Sequence, residues 1–251
     1  MRQGQQHSAT GDSGNAITCR RCGLYRICFA RRLEGGERHE RQGVVRRGHE
    51  PLRAGQPVDG ARLKGLSVLR SGALKRCRYS RNGEEIIAGF YFPGETLGLE
   101  WSPAGQEEER YVALEQAHVC HIPWQRIEGL MEEDGDVREA VNQMLREEIT
   151  VERERLLRAC RGSARQRVAA FLLDLAERRQ RRSLSADRIR LGMGRREIAA
   201  YLDLTIETVS RTLSQFKRAG MIQLEGRRLQ LMNGEALAAA ADGVEGERLC
   251  G

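Results

Sequence analysis

The chain has 251 residues, 31% charged and 40% hydrophobic, with a formal net charge of +7. That length holds one large domain or two ordinary ones and allows a sizeable core. No apolar run reaches membrane-spanning length. The polar, Gly/Gln/Ser-rich start Met1–Asn15 lacks the apolar core of a signal peptide, so a cytoplasmic chain without membrane partners is expected. The charge is segregated: residues 161–233 carry 16 Lys and Arg against 7 Asp and Glu, whereas residues 1–160 carry 25 against 24. A cationic C-terminal segment matches a phosphate-bearing partner.

Residues 1–16 read as disordered. Next come Cys19, Cys22 and Cys28 in a C-x2-C-x5-C array. Crowded thiolates repel unless a cation shares their charge, and soft ligands suit zinc or an iron–sulfur cluster. Spacing alone leaves zinc, iron–sulfur and no metal open, and a fourth ligand has to come from elsewhere: His39, His49, Cys77, Cys120 or Cys160. Seven cysteines in a reducing compartment do not suggest a disulfide framework.

From Val44 to Pro123 short strands alternate with turn signals, which suggests a small barrel or roll. Strands are expected over Arg70–Tyr79 and Glu85–Phe92, around an Asn82-Gly83 hairpin turn, and over Tyr111–Ile122. After Pro123 the pattern becomes helical. Val137, Val141, Leu145, Ile149, Leu156 and Cys160 form one apolar stripe on an otherwise charged helix. A narrow stripe suits pairing with a second copy, although part of it also suits packing on the roll. Val141, Leu145, Ile149, Glu152 and Leu156 are the candidate dimer seam. Glu152 opposes pairing, because two buried like charges are costly.

A further helix spans Arg165–Arg179 with Val168, Phe171, Leu172 and Leu175 inward. Apolar residues then recur at Ile198 and Leu202, and at Ile206, Val209, Leu213 and Phe216, on either side of Asp203-Leu204-Thr205. This reads as helix, short turn, helix, with Thr205 as N-cap of the second. The opposite face of that second helix carries Glu207, Ser210, Arg211 and Ser214, all able to meet base edges. Two short strands around Glu225-Gly226-Arg227 read as a wing. The tail 234–251 starts helical. No catalytic constellation stands out, so an enzyme is not expected.

The segments ITCRRCGLYRIC at 17–28, RSGALKRCRYSRNGEEIIAGFYFPGE at 70–95, VCHIP at 119–123 and LTIETVSRTL at 204–213 resemble the Crp/Fnr superfamily of bacterial regulators, in the branch of oxygen-responsive fumarate and nitrate reduction regulators. The resemblance covers about residues 17–233. It implies an α+β fold divided into a cysteine-bearing segment and β-roll sensor (17–123), a dimerisation helix (124–160), a winged helix-turn-helix (161–233) and a tail (234–251). It further implies one oxygen-labile 4Fe-4S cluster per subunit on Cys19, Cys22, Cys28 and Cys120, a homodimer, double-stranded DNA with a TTGAT-like inverted repeat, and control of anaerobic genes by activation or repression. RNA polymerase is the implied further partner, with Glu84 the candidate contact. No cyclic nucleotide is expected, because Leu99 and Tyr111 stand where a nucleotide-binding branch has polar residues. Asp203 departs from the glycine usual in the turn. Two alternatives remain: a zinc or thiol redox switch at the cysteines, or an iron–sulfur electron-transfer module.

Overall fold

The computed structural model describes Leu24, Cys28 and residues 46–47, 51–58, 65–98, 109–159, 162–182 and 188–243; at 46, 47, 109 and 154–159 it describes the backbone alone. The N-terminal half is a β-roll of two sheets. One has strand order β1-β7-β2-β5, made by Arg46–Arg47, His118–Pro123, Gly65–Ser71 and Thr96–Leu97. The other has order β4-β3-β6, made by Glu85–Tyr91, Leu74–Tyr79 and Glu109–Ala113.

Two expected strands are each broken. The Arg70–Tyr79 run divides because Gly72 adopts φ +87° and lies so close to Gln116 and Ala117 that a Cβ would sit 2.4 Å from the Gln116 carbonyl oxygen. The Tyr111–Ile122 run divides over residues 114–117, the segment that meets this turn, where the Leu114 N–H donates to the Ala73 carbonyl at 2.9 Å. The Asn82-Gly83 hairpin forms as expected: β3 and β4 pair antiparallel and Gly83 has φ +77°. Inside the roll, Leu69, Leu74 and Leu97 are fully buried around a T-shaped pair, Tyr91 and Tyr111, with centroids 5.2 Å apart. The Tyr111 hydroxyl accepts the Gly98 N–H at 3.4 Å, tying ring to backbone.

The helical stretch after Pro123 is two helices, α1 (Trp124–Glu133) and α2 (Gly135–Ala159), not one. Asp134 interrupts it. Its backbone is extended and its Oδ1 accepts the Asp136 N–H at 2.9 Å, so a side chain takes over a donor that a continuous helix would use itself. Val137 and Val141, both 1% exposed, pack with Leu66, Ile122, Ile127 and Leu130 between α1, α2 and the foot of the roll.

The C-terminal half comprises α3 (Ala164–Gln180), β8 (Arg188–Arg190), α4 (Arg195–Leu202), α5 (Ile206–Arg218), β9 (Ile222–Glu225), β10 (Arg228–Leu231) and α6 (Gly234–Asp242). Ser163 starts α3: its hydroxyl accepts the Gln166 N–H, and the Gln166 side chain accepts the Ser163 N–H at 2.7 Å. The wing hairpin gains a third strand that periodicity did not suggest, giving order β8-β10-β9. The tail's first turns, through Leu237 and Ala240, belong to the same core as α3. That core also takes in Ile87 and Phe90 from β4, so the roll and the C-terminal half share buried side chains.

Candidate nucleic-acid interface and cysteine site

The turn between α4 and α5 is built from both sides. Asp203 closes α4 in the left-handed region (φ 51°, ψ 53°) and is the sole non-glycine with positive φ among the described residues. Its short polar side chain tolerates this better than most. Arg167 of α3 donates to the Leu202 and Asp203 carbonyls at 2.7 and 3.3 Å, satisfying helix-end acceptors. Thr205 then caps α5, its Oγ1 accepting the Thr208 N–H at 3.2 Å.

On α5, Val209, Thr212, Leu213 and Phe216 face the core. Ile206, expected to be buried, is 42% exposed, and Thr212 fills the place in the buried face. The reason is position: Ile206 is the first helical residue, nearly a full turn before Val209, the first buried residue of the helix. Glu207, Arg211 and Ser214 are exposed and Ser210 is half-buried between them. Their spacing of three, four and seven puts all four on one strip. The Ser214 hydroxyl donates back to the Ser210 carbonyl at 2.8 Å. Glu207 sits in the first turn, where the helix dipole favours an anion, and Lys217 and Arg218 sit in the last. Such a strip offers carboxylate, hydroxyl and guanidinium groups to a groove of width matched to a helix.

What fixes this strip relative to the roll is an ion cluster that the sequence did not reveal. Arg178 of α3 is 8% exposed. Its Nη2 donates to Glu95 Oε2 at 2.6 Å and to the Phe90 carbonyl at 2.5 Å, its Nε to Glu95 Oε1 at 2.8 Å, and its Nη1 to Asp174 at 3.3 Å. Arg182 also donates to Glu95. Burial pushes the Glu95 carboxyl up, but Arg178 and Arg182 outweigh it and hold the acid below its usual range. Arg182 is pushed down by burial, with Arg178 and Arg179 adding to that, despite Glu95. Alongside, Phe90, Phe171 and Tyr201 form an aromatic triad with centroids 5.2–6.1 Å apart. Gly192 touches the roll so closely that a Cβ there would lie 2.3 Å from that of Ala73. Charged residues at i, i+4 on α3 read from sequence as a solvated face, which is why periodicity passed over this cluster.

Of the candidate cysteines, Cys28 and Cys120 are described and both are half-buried. Cys28 packs against the apolar cluster that includes Ile122. Cys120 precedes Ile122 by two on β7, and so points to the same side of that strand. Cys19, Cys22 and Cys160 lie outside the described residues. Cys77 is fully buried, its Sγ 3.5 Å from the Arg110 carbonyl and 3.9 Å from the Tyr79 hydroxyl, and burial pushes its thiol up, so it is a core thiol.

The proposed seam divides. Val141 is turned into the chain's own core, unlike the expected pairing position; Leu145 is at the rim, and Ile149 is 56% exposed. Glu152 reaches Arg76 on β3, Nη2 to Oε1 3.5 Å, so its carboxylate has a cationic neighbour in its own chain. The Leu156 side chain is outside what is described. Glu84 is exposed in the β3–β4 turn, its N–H donating to the Ser80 hydroxyl at 3.1 Å.

Comparison with known proteins gives two family matches: a Crp-like helix-turn-helix domain over residues 166–240 and a cyclic nucleotide-binding domain over residues 49–134. The fumarate and nitrate reduction regulatory protein of Salmonella typhimurium is 32% identical over 230 residues, 91% of this chain and 92% of that one. The transcriptional activator protein anr of Pseudomonas aeruginosa is 34% identical over 231 residues, 90% of this chain and 93% of that one. Among solved structures, FixK2 from Bradyrhizobium japonicum matches with a TM-score of 0.69 and 27% identity, covering 79% of this chain and 98% of that one.

Proposed function

The chain belongs to the Crp/Fnr family of transcription regulators, in its fumarate and nitrate reduction branch, and from that premise we propose that it is an oxygen-responsive regulator that binds DNA as a homodimer. The observation that carries this reading is the exposed strip Glu207, Ser210, Arg211 and Ser214 on a helix whose other face is fully packed. Arg211 is suited to guanine O6 and N7, Glu207 to the cytosine amino group, and Ser210 and Ser214 to a base edge or phosphate. A two-fold pair of such helices spaced about 34–36 Å apart reads an inverted repeat, here TTGAT-like, in successive major grooves.

Cys19, Cys22, Cys28 and Cys120 are the proposed ligands of a 4Fe-4S cluster. Cys28 and Cys120 fit this donor set: both are half-buried thiols on the side of β7 that carries Ile122 and its apolar neighbours. When bound, the cluster supplies an oxygen-labile redox centre and ties the N-terminal segment to the roll. The chain's own part is to offer α2 for pairing through Leu145, Ile149 and Leu156, with Glu152 limiting how tightly the seam closes. Pairing raises DNA affinity by joining two half-site readers. On this reading the roll serves as a scaffold without a cyclic nucleotide. Glu84, exposed on the hairpin tip, is the proposed RNA polymerase contact; the chain would act in the cytoplasm on genes of anaerobic metabolism.

The test is an anaerobic absorption spectrum with iron and sulfide content, followed by air, with operator binding measured in parallel. The reading expects brown protein that bleaches and loses operator affinity. Colourless anaerobic protein containing zinc, with unchanged binding in air, would replace the iron–sulfur account by a zinc or thiol switch.

A further inference from the structure

Between β5, the middle of α2 and the end of α3 lies an open cavity of about 790 Å³, within the size range of small-molecule sites. Neither Leu69, Leu74 and Leu97 at the centre of the roll nor any residue of α5 lines it. Its α3 side is cationic. Arg178 lies in the last turn of α3, and Arg181 and Arg182 follow the helix end, so three guanidinium groups border the same space.

The acid on that side is already fully used. Glu95 Oε1 accepts from Arg178 Nε and Arg182 Nη2, and its Oε2 accepts from Arg178 Nη2 and the Phe92 N–H. Four donors fill the acceptor sites of one carboxylate. Arg182 Nη1 is left over: it is buried and has no acceptor among the described residues. A buried donor without an acceptor carries the cost of its lost hydration. Arg181 stands exposed beside it. The α2 side differs. Arg146 is engaged by Glu139, and Glu147 accepts from the Gln143 side chain at 2.9 Å. With Glu148 also lining that side, an anion is repelled there and drawn toward α3. Tyr91, Met144 and Val151 supply the apolar part of the lining.

We propose that this cavity takes a small organic dianion, a phosphate monoester or a dicarboxylate. Its anionic group lies against Arg181 and Arg182 Nη1, and its carbon skeleton meets Tyr91, Met144 and Val151. Both headgroups share the chemistry that the site recognises, oxygen atoms spaced to meet the planar fork of a guanidinium. The site is apart from the cysteines and from the strip on α5, so it stands or falls independently of the cluster and of the operator.

The test is titration calorimetry on the full chain, prepared anaerobically, with glycerol 3-phosphate and with succinate at constant ionic strength, against sodium chloride as the blank. At least one of the two should bind, once per chain, and the one that binds identifies the headgroup. Arg182→Lys keeps a cation beside Glu95 but has no second nitrogen for the ligand, so affinity should fall about tenfold. Thermal melting checks that this variant is folded. Arg181→Gln changes an exposed side chain, leaves the fold intact and should weaken binding roughly threefold. Arg228→Gln removes an exposed arginine that does not line the cavity and should bind as the wild type does. Binding of neither compound overturns the proposal, as does unchanged affinity in both Arg181→Gln and Arg182→Lys. Equal weakening by Arg228→Gln overturns it too, since the anion would then be responding to the chain's overall charge.

Discussion

Around α3 the side chains find their partners within one chain, whereas along the middle of α2 they turn outward. Phe90, Phe171 and Tyr201 stack across the junction of roll and reading domain, and Glu95 gathers two arginines there. On α2 the buried residues Val137 and Val141 give way, two turns later, to Ile149 at 56% exposure. Ile149 lies on the part of α2 proposed for pairing with a second copy. The contrast separates two tasks. Within each chain α5 is tied to the roll through α3, while on the proposed reading the number of reading helices per assembly is left to a second copy.

Four changes would break or sharpen that contrast. Glu95→Ala should have the largest effect, because it leaves Arg178 and Arg182 buried without their acid. Removing one partner of a buried pair costs about 3–5 kcal/mol, seen as a lower melting midpoint and impaired operator binding. The same group sets an acid limit. Its folded pKa is depressed, so its contribution is complete above the ordinary carboxylate range and fades as the pH falls below about 4.3 toward the folded value. Melting of the wild type should therefore steepen its decline with acidity more than that of Glu95→Gln.

Ile149→Glu comes next. It should leave the monomer's melting nearly unchanged, since the side chain is exposed, yet lower anaerobic operator affinity by roughly 100-fold through lost pairing. Sedimentation would show the monomer. A large drop in monomer stability instead would mean that α2 is completed within the chain, and the contrast would fail. Arg211→Ala should cost about 1–3 kcal/mol of operator affinity, relax discrimination at one base pair and leave oligomeric state untouched. Asp203→Val is expected to be the smallest, about 1–2 kcal/mol of stability, because a β-branched residue resists the left-handed backbone that aspartate accepts here.

Much of the reading domain was legible because its periods are clean. Val209, Leu213 and Phe216 recur at helical spacing, Thr205 announces the start, and Gly226 marks the wing. Ile206 fits the same arithmetic yet is exposed, since periodicity gives the side of a helix and not where the neighbouring core begins. The roll was legible as many short strands, but its breaks were not. Gly72 stops one strand through contact with residues 116 and 117, far away in sequence. The Glu95 cluster was invisible for a related reason: Arg178 looks like any surface arginine on a charged helix, and only the fold brings a carboxylate 83 positions earlier against it. The division of α2 into inward Val141 and outward Ile149 also needed the roll in place, because both belong to one stripe.

Arg167 lies one turn into α3, close to the point where the long helix ends, and its guanidinium grips the backbone of the turn before α5. One side chain therefore fastens the start of α3 to the turn that precedes the reading helix.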